Sequence, residues 1–194
     1  MFIEPSYSNI GHRGWIEVIA GPMFSGKTEE LIRRIKRAQI ARQPVALFKS
    51  PLDQRYSNEA VVSHDQNNIP SMDINRAMDT FHHIGNARVV GFDEAQFFDQ
   101  DLVRVARQLA LDNYRVIVAG LDMDYEGNPF PPMPEMLAVA EYITKVHAIC
   151  VQCRNLATHS FRKVTESEQI MVGADEVYEP RCRKCFHDGM AEKK

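Results

Sequence analysis

The sequence contains no apolar run that approaches the roughly 20 residues needed to cross a membrane. Residues 1–14 are polar and mixed, and they lack the apolar segment of a secretory signal. The sequence also has no large excess of charge of either sign, because 26 acidic and 23 basic residues give a net charge of −3. Such a balance argues against broad nucleic-acid binding. The sequence therefore predicts a cytoplasmic protein with neither a membrane nor a nucleic-acid partner.

Cysteine is absent from the first 149 residues. The four cysteines form two Cys-x-x-Cys pairs, Cys150 with Cys153 and Cys182 with Cys185. Without a sign of export, thiols that bind a metal are favoured over disulfides. We interpret the pairs as a structural zinc site, with free thiols or a labile disulfide as alternatives. The 28 residues between the pairs exceed a usual ribbon spacer and predict an inserted loop, which we interpret as a lid over a second substrate.

Residues Gly21–Thr28 read GPMFSGKT and fit the pattern G-x-x-x-x-G-K-[ST] of a phosphate-binding loop. A strand-length apolar run, Trp15–Ala20, precedes this P-loop, and an apolar stripe at helical spacing follows it. Backbone N–H groups at such a strand–helix junction point at an anion. Lys27 would neutralise β and γ oxygens, and the Thr28 hydroxyl would ligate Mg²⁺. The alternative is a chance glycine-rich turn. The predicted ATP-binding residues of this loop are Gly21, Pro22, Met23, Phe24, Ser25, Gly26, Lys27 and Thr28.

A second motif, which is acidic, follows the predicted strand Ala87–Phe92, where the chain reads Asp93-Glu94-Ala95-Gln96. A carboxylate at the end of an apolar strand helps to hold Mg²⁺ in P-loop proteins, so Asp93 joins Thr28 in the predicted magnesium site. A second carboxylate can accept a proton from an attacking hydroxyl. Acidic pairs at strand ends are common, and this one gains its weight from the P-loop upstream.

Strands alternate with helices through residue 148, which predicts an α/β fold with a mostly parallel sheet flanked by helices, of the P-loop NTPase type. We predict three parts. Residues 1–14 form a flexible extension, residues 15–149 the nucleotide-binding domain, and residues 150–194 a small zinc-ribbon subdomain that carries a lasso-like lid loop. Tyr125 and Phe130 could line an aromatic slot for a nucleobase, and core packing is an equal alternative.

Taken together, these motifs resemble one family, the type II (cellular, tetrameric) thymidine kinases. The residues that carry the resemblance are Gly21–Thr28, Asp53-x-Arg55-Tyr56, Asp93–Phe98, Gly120-Leu121-Asp122, Tyr125, Pro129-Phe130, the cysteine pairs, Gly173-Ala174-Asp175 and Tyr178. The match runs from about Trp15 to Phe186. It implies transfer of the γ-phosphate of Mg·ATP to the 5′-hydroxyl of thymidine, giving dTMP. It also implies a homotetramer that is inhibited by dTTP.

The resemblance implies roles for individual residues as well. Glu94 is implied as the general base, and Arg55 is implied close to the transferring phosphate. The ATP-binding set then extends to Arg55, Asp93, Glu94, Ala95 and Gln96. The implied thymidine-binding residues are Met23, Phe97, Leu121, Tyr125, Phe130, Ser160, Gln169, Ile170, Met171, Val172, Gly173 and Tyr178. The sequence departs from the family pattern at Val172, where a second glycine is usual, at Ser160, which replaces a threonine, and by one extra residue between Asp175 and Tyr178.

Two other functions fit parts of the pattern. One is a P-loop kinase that acts on a different nucleoside, a nucleotide or a polynucleotide end. The other is a nucleotide-switched module whose zinc knuckle binds nucleic acid, which would show a strong salt dependence.

Overall fold

The computed structural model describes residues 13–51, 60–62, 68–164 and 176–193. Twelve strands, numbered in chain order, occur in the described residues: β1 Trp15–Ala20, β2 Val45–Lys49, β3 Ala60–Val62, β4 Asn68–Pro70, β5 Met72–Asp73, β6 Val89–Phe92, β7 Arg115–Gly120, β8 Tyr142–Lys145, β9 Ala148–Ile149, β10 Leu156–Ala157, β11 His159–Arg162 and β12 Tyr178–Arg181. The α-helices there are α1 Lys27–Ile40, α2 Thr80–His83, α3 Asp101–Leu111, α4 Met133–Val139 and α5 Arg183–Glu192.

Six strands form one parallel sheet in the order β5-β2-β6-β7-β1-β8. Its central strands are nearly continuous apolar runs, as expected for strands covered on both faces. Every residue of β7 is buried. In this order β1, β7 and β6 are neighbours, so the loops that follow them meet at the carboxyl edge of the sheet, where α/β proteins bind ligands. The predicted α/β class is confirmed.

Alternating side chains of the central strands supply two apolar layers. On one face, Ile19 and Ile117 pack with Leu31 and Ile35 of α1. On the other face, valines of β1 and β7 pack with residues of α3 and α4, among them Leu102. No helix in the described part of the chain has the length and apolar character that a bilayer crossing would require.

The last strand of the sheet differs from the sequence-based prediction. We predict a strand at Thr144–Ala148, whereas β8 covers Tyr142–Lys145. Ala148 belongs instead to β9 and pairs with Ala157 in an antiparallel hairpin. The segment 144–148 thus spans two strands, because the chain leaves the sheet after the Val146 N–H donates to the Ala20 carbonyl.

We call residues 148–164 and 176–193 the C-terminal region. It contains the hairpins β9–β10 and β11–β12 and the helix α5. Its apolar cluster is small and is built from Ala148, Cys150 and Ala157. Phe24 of the P-loop packs against this cluster, so the C-terminal region contacts the phosphate-binding loop directly.

A charged network is buried between α1 and the sheet. The Glu17 carboxylate accepts hydrogen bonds from Arg34 at 2.8 Å and from Arg115 at 2.6 Å, and all three residues are buried. Partial burial opposes ionisation of the adjacent Glu30, but Arg33 and Arg34 donate to its carboxylate and hold its pKa below the ordinary value. Each charge inside this network therefore has an opposite partner, as burial requires.

Candidate active site

The P-loop requires glycine at both ends. A Cβ at Gly21 would come within 2.4 Å of the Val146 carbonyl oxygen. Gly26 adopts a left-handed conformation with φ 80° and ψ 25° directly before α1, a conformation that glycine adopts without a steric cost. These two glycines bring the loop against the amino end of a 14-residue helix, where N–H groups and the helix dipole favour an anion.

Inside the loop, the Pro22 carbonyl accepts hydrogen bonds from Lys27 Nζ at 2.8 Å and from Ser25 Oγ at 2.7 Å. The Lys27 side chain is buried, so its ammonium group lies within the cradle rather than in solvent. An ammonium at this position neutralises phosphate oxygens in P-loop proteins.

Thr28 and Asp93 meet at the junction of α1 and β6. The Thr28 hydroxyl lies 3.2 Å and 3.4 Å from the two oxygens of the Asp93 carboxylate. Mg²⁺ prefers hard oxygen ligands, and it is commonly held by one or two carboxylates together with substrate phosphates. The residues present therefore fit a magnesium ion that is shared with a triphosphate.

Glu94 follows at the tip of β6 in a left-handed conformation, with φ 48° and ψ 50°. A non-glycine residue in this region is strained and points to a functional constraint. Gln96 Nε2 donates to Glu94 Oε2 at 2.5 Å, while Gln96 Oε1 accepts from the Leu121 N–H at 2.9 Å. Because the Leu121 N–H needs an acceptor, the Gln96 amide has one orientation, and it fixes the Glu94 carboxylate relative to the loop after β7.

Gly120 makes room for this bridge. A Cβ at Gly120 would lie 3.1 Å from Gln96 Oε1 and 2.7 Å from the Met133 sulfur. Sequence reasoning grouped Gln96 with the ATP-binding residues and missed the bridge, because nothing in the motif indicates that a residue after β7 would face it.

The β11 strand brings part of the predicted thymidine set onto the P-loop. The Met23 N–H donates to the Ser160 hydroxyl at 3.0 Å. Tyr125 and Tyr178 both contact Arg162, whose ζ-carbon is 3.6 Å from the centroid of the Tyr125 ring and whose Nη2 donates to the Tyr178 hydroxyl at 2.7 Å. Arg162 was not among the predicted site residues, since a lone arginine in a strand carries no motif.

The other predicted residues divide into two groups. Phe130 is buried, and its N–H donates to the Asp122 carbonyl at 3.1 Å, while Phe97 and Leu121 are half-buried. Arg55, Gln169, Ile170, Met171, Val172 and Gly173 lie outside the described residues.

The four cysteines converge, as the sequence predicts. Their sulfur atoms all lie within 4.8 Å of one another, and Cys153 Sγ is 3.5 Å from Cys182 Sγ. Four sulfurs at 2.3 Å from a tetrahedral zinc ion would stand roughly 3.8 Å apart. The cluster therefore has the donor set and the spacing to hold a zinc ion, consistent with a zinc ribbon.

Thiol ionisation in this cluster is uneven. Burial opposes ionisation of Cys150, but the backbone N–H groups of Cys182, Cys153 and Gln152 outweigh it and lower the pKa of Cys150 to about 6. Hydrogen bonds with Cys182 and Cys153 raise the pKa of Cys185 to about 12. Four thiolates in one place repel one another, and a divalent cation among them stabilises the deprotonated forms.

An entirely parallel sheet with a P-loop after β1 and an acidic pair after β6 defines a protein of the P-loop NTPase class. The family model described as thymidine kinase matches residues 14–186. The chain belongs to the thymidine kinase family, as its motifs predict, and it is a kinase.

Several thymidine kinases are similar to the chain along most of its length. That of Rhodothermus sp. (strain ITI 518) is 57% identical over 176 residues, which cover 91% of this chain and 83% of the relative. That of Bacteroides thetaiotaomicron is 53% identical over 186 residues, with 96% and 94% covered. That of Porphyromonas gingivalis is 51% identical over 184 residues, with 95% and 90% covered.

Proposed function

We propose that this chain transfers the γ-phosphate of Mg·ATP to the 5′-hydroxyl of thymidine, and of deoxyuridine as well, with Glu94 as the general base. The observation that carries the proposal is the chain of contacts at the carboxyl edge of the sheet. Thr28 contacts Asp93 beside the P-loop, and Glu94, the next residue, is bridged by Gln96 to the loop after β7. This chain of contacts supports a phosphate site and an acceptor site that share one edge.

The P-loop and α1 bind and orient the triphosphate in this proposal. Backbone N–H groups of the loop and the Lys27 ammonium face the β and γ oxygens. Thr28 and Asp93 would hold Mg²⁺, which when bound neutralises charge on the β and γ phosphates. Arg55 is proposed to lie close to the transferring group.

Glu94 acts on the acceptor. Its carboxylate takes the proton of the 5′-hydroxyl as the bond from that oxygen to the γ-phosphorus forms and the bond to the β–γ bridging oxygen breaks, which leaves ADP. The hydrogen bond from Gln96 to Oε2 holds the carboxylate in a fixed orientation relative to the loop after β7. Precise placement of this kind accounts for much of the rate in phosphoryl transfer.

The nucleoside is proposed to lie between the P-loop and the C-terminal region. Leu121, Tyr125 and Phe130 belong to the loop after β7, and Ser160 and Tyr178 belong to the hairpin β11–β12. Met23, Phe97 and residues 169–173 complete the proposed set. A pocket enclosed in this way excludes water and limits hydrolysis of ATP.

The test is Glu94→Gln. Loss of a positioned base should lower kcat by roughly 10²–10⁴-fold, while ATP binding measured by calorimetry stays close to that of the wild type. Glu192→Gln, which changes an exposed carboxylate on α5, serves as the control and should keep full activity. Near-normal turnover of Glu94→Gln would contradict the assignment of Glu94 as the general base.

The acceptor is tested separately with a panel of nucleosides and radiolabelled ATP. Label on thymidine and deoxyuridine is expected. Label on another nucleoside alone, or on a nucleotide, would replace the proposed acceptor with a different one.

We also propose a cytoplasmic homotetramer that is inhibited by dTTP and holds one zinc ion per chain. Apolar side chains at the outer edge of the sheet and on the adjoining hairpin support self-association, because Ile143, Ile149 and Leu156 are all more than half exposed. Light scattering measures the assembly, elemental analysis the zinc, and inhibition of thymidine phosphorylation the response to dTTP.

A further inference from the structure

Arg162 is a buried cation that contacts both halves of the proposed nucleoside pocket. Its side chain is almost wholly enclosed, with 2% of the residue exposed. Its ζ-carbon lies over the Tyr125 ring, 3.6 Å from the centroid, and Nη2 and Nε donate to the Tyr178 hydroxyl at 2.7 Å and 3.2 Å. Tyr125 follows β7 in the P-loop part of the molecule, and Tyr178 begins β12 in the C-terminal region.

These contacts use properties that only arginine combines. A buried charge is costly unless its donors are satisfied. The planar guanidinium can stack on an aromatic face and donate from its edge at the same time, whereas a lysine ammonium is a point charge without a plane. Since Arg162 and Tyr178 are direct partners in the β11–β12 register, the strand pairing itself holds the edge contact in place.

Strand geometry places Arg162 on the face of β11 that contacts the P-loop. Ser160 lies two residues earlier on β11, so its side chain is on the same face of the strand. The Ser160 hydroxyl accepts from the Met23 N–H of the P-loop at 3.0 Å. One face of β11 therefore anchors the phosphate loop through Ser160 and the two tyrosines through Arg162.

We propose that Arg162 is a positioning residue for the nucleoside pocket and fixes the Tyr125 and Tyr178 rings relative to each other. The inference rests on the proposed function, because both tyrosines are assigned to thymidine there. Lys27 and Thr28 are held by contacts with Pro22 and Asp93, and β11 reaches the P-loop through Ser160 rather than through Arg162. Arg162 therefore acts on the affinity for the nucleoside and leaves the affinity for ATP and the chemical step largely intact.

The first test is Arg162→Lys, which keeps the positive charge and removes the planar guanidinium group with its several N–H donors. We expect the KM for thymidine and its calorimetric Kd to rise about tenfold or more, the size of effect that follows loss of a hydrogen bond from a charged group in a buried site. The KM for ATP and the kcat at saturating thymidine should change by about twofold at most.

Arg115→Lys is a matched control. Arg115 is also a buried arginine, 3% exposed, that donates from Nε and Nη2 to one partner, the Glu17 carboxylate, and lies near an aromatic ring, that of Trp15. It sits at the start of β7, at the opposite edge of the sheet from the P-loop. Arg115→Lys should lower the Tm and leave the KM for thymidine unchanged.

Tyr178→Phe supplies a second route if Arg162→Lys folds poorly, since it keeps the ring and removes only the acceptor. Its KM for thymidine should rise, and the double variant should show less than the product of the two single effects, because both substitutions break one contact. An unchanged KM in both single variants, independent effects in the double variant, or a parallel rise in the KM values of thymidine and ATP would overturn the inference. If the wild-type enzyme fails to phosphorylate thymidine, the proposed function fails instead.

Discussion

The sheet core and the C-terminal region are stabilised in different ways. The core buries one large apolar layer on each face of six parallel strands. The C-terminal region buries less apolar surface, namely a cluster of three small residues and a few aromatic rings such as Phe161 and Phe186, and it adds specific contacts of a different chemistry. Four sulfurs converge there, and Arg181 stacks over the Phe161 ring at 3.6 Å.

This difference follows from size. A short segment cannot bury enough apolar surface to offset the conformational entropy lost on folding, so small units depend on metals or other cross-links. The core supplies the rigid edge that holds Lys27, Thr28 and Asp93. We expect the position of the residues that the C-terminal region supplies to depend on a few specific contacts, among them those of the cysteine cluster. Stability and nucleoside affinity should therefore be separable by experiment.

The largest expected effect is on the core. Leu102 of α3 is fully buried in the apolar layer that faces β1 and β7. Leu102→Ala should lower the free energy of unfolding by about 2–5 kcal/mol, the cost of lost burial together with the cavity left behind. Denaturant unfolding measures the change. Below the melting transition, the KM for thymidine should match that of the wild type, and a raised KM would contradict the separation of the two regions.

The next effect is on the C-terminal region. Cys153→Ser, or removal of zinc with a chelator, should lower the zinc content and raise the KM for thymidine by about tenfold or more, because metal binding is coupled to local folding. Hydrogen exchange should rise in the hairpins β9–β10 and β11–β12 and stay low in β1 and β7. Ser63→Ala, a hydroxyl replacement far from the cysteines in sequence, is the control for zinc content.

A metal-free protein with full activity and unchanged exchange would contradict the dependence of this region on a metal.

The smallest effect concerns His159, whose ring stacks on Phe186 with a centroid distance of 4.5 Å. Burial, with help from the nearby positive charges of Arg183 and His187, lowers the pKa of His159 below its ordinary value of 6.5, while Asp122 opposes the shift. The unfolded chain therefore binds a proton more readily than the folded chain. The contribution to stability is complete above pH 6.5 and is lost as the pH falls through the lowered pKa.

His159→Gln should flatten the dependence of the Tm on pH below 6.5. The control His83→Gln, in the exposed last turn of α2, should keep the wild-type dependence. Equal slopes for His159→Gln and the wild type would show that other groups govern acid stability.

Much of the core could be predicted because its signals are local. The P-loop pattern, the apolar run before it and the acidic pair after β6 each occupy a few adjacent residues, and the parallel topology follows from alternating strands and helices. The family resemblance added the activity, and the family comparison confirmed it. The three-part division of the chain and the individual site roles stay predictions.

Contacts between distant segments could not be predicted. Gln96 meets the Leu121 N–H across 25 positions, and Met23 meets Ser160 across 137. Arg162 resembles any other charged residue in the sequence, since nothing local indicates that two tyrosines will enclose it. The boundary of β8 was wrong for the same reason, because pairing with β10 decides where Ala148 belongs.

The hydrogen bond from the Met23 amide to the Ser160 hydroxyl has a consequence for how the two reactants are spaced. In the proposed function, one end of this bond belongs to the loop that binds the donor phosphate and the other to the hairpin that contacts the acceptor. On that proposal, the bond would help to fix the distance between the phosphorus and the oxygen that attacks it. A redesign for a bulkier acceptor would have to move the far wall near Phe130 and keep the Ser160 end in place, since a shift there would also misalign the donor.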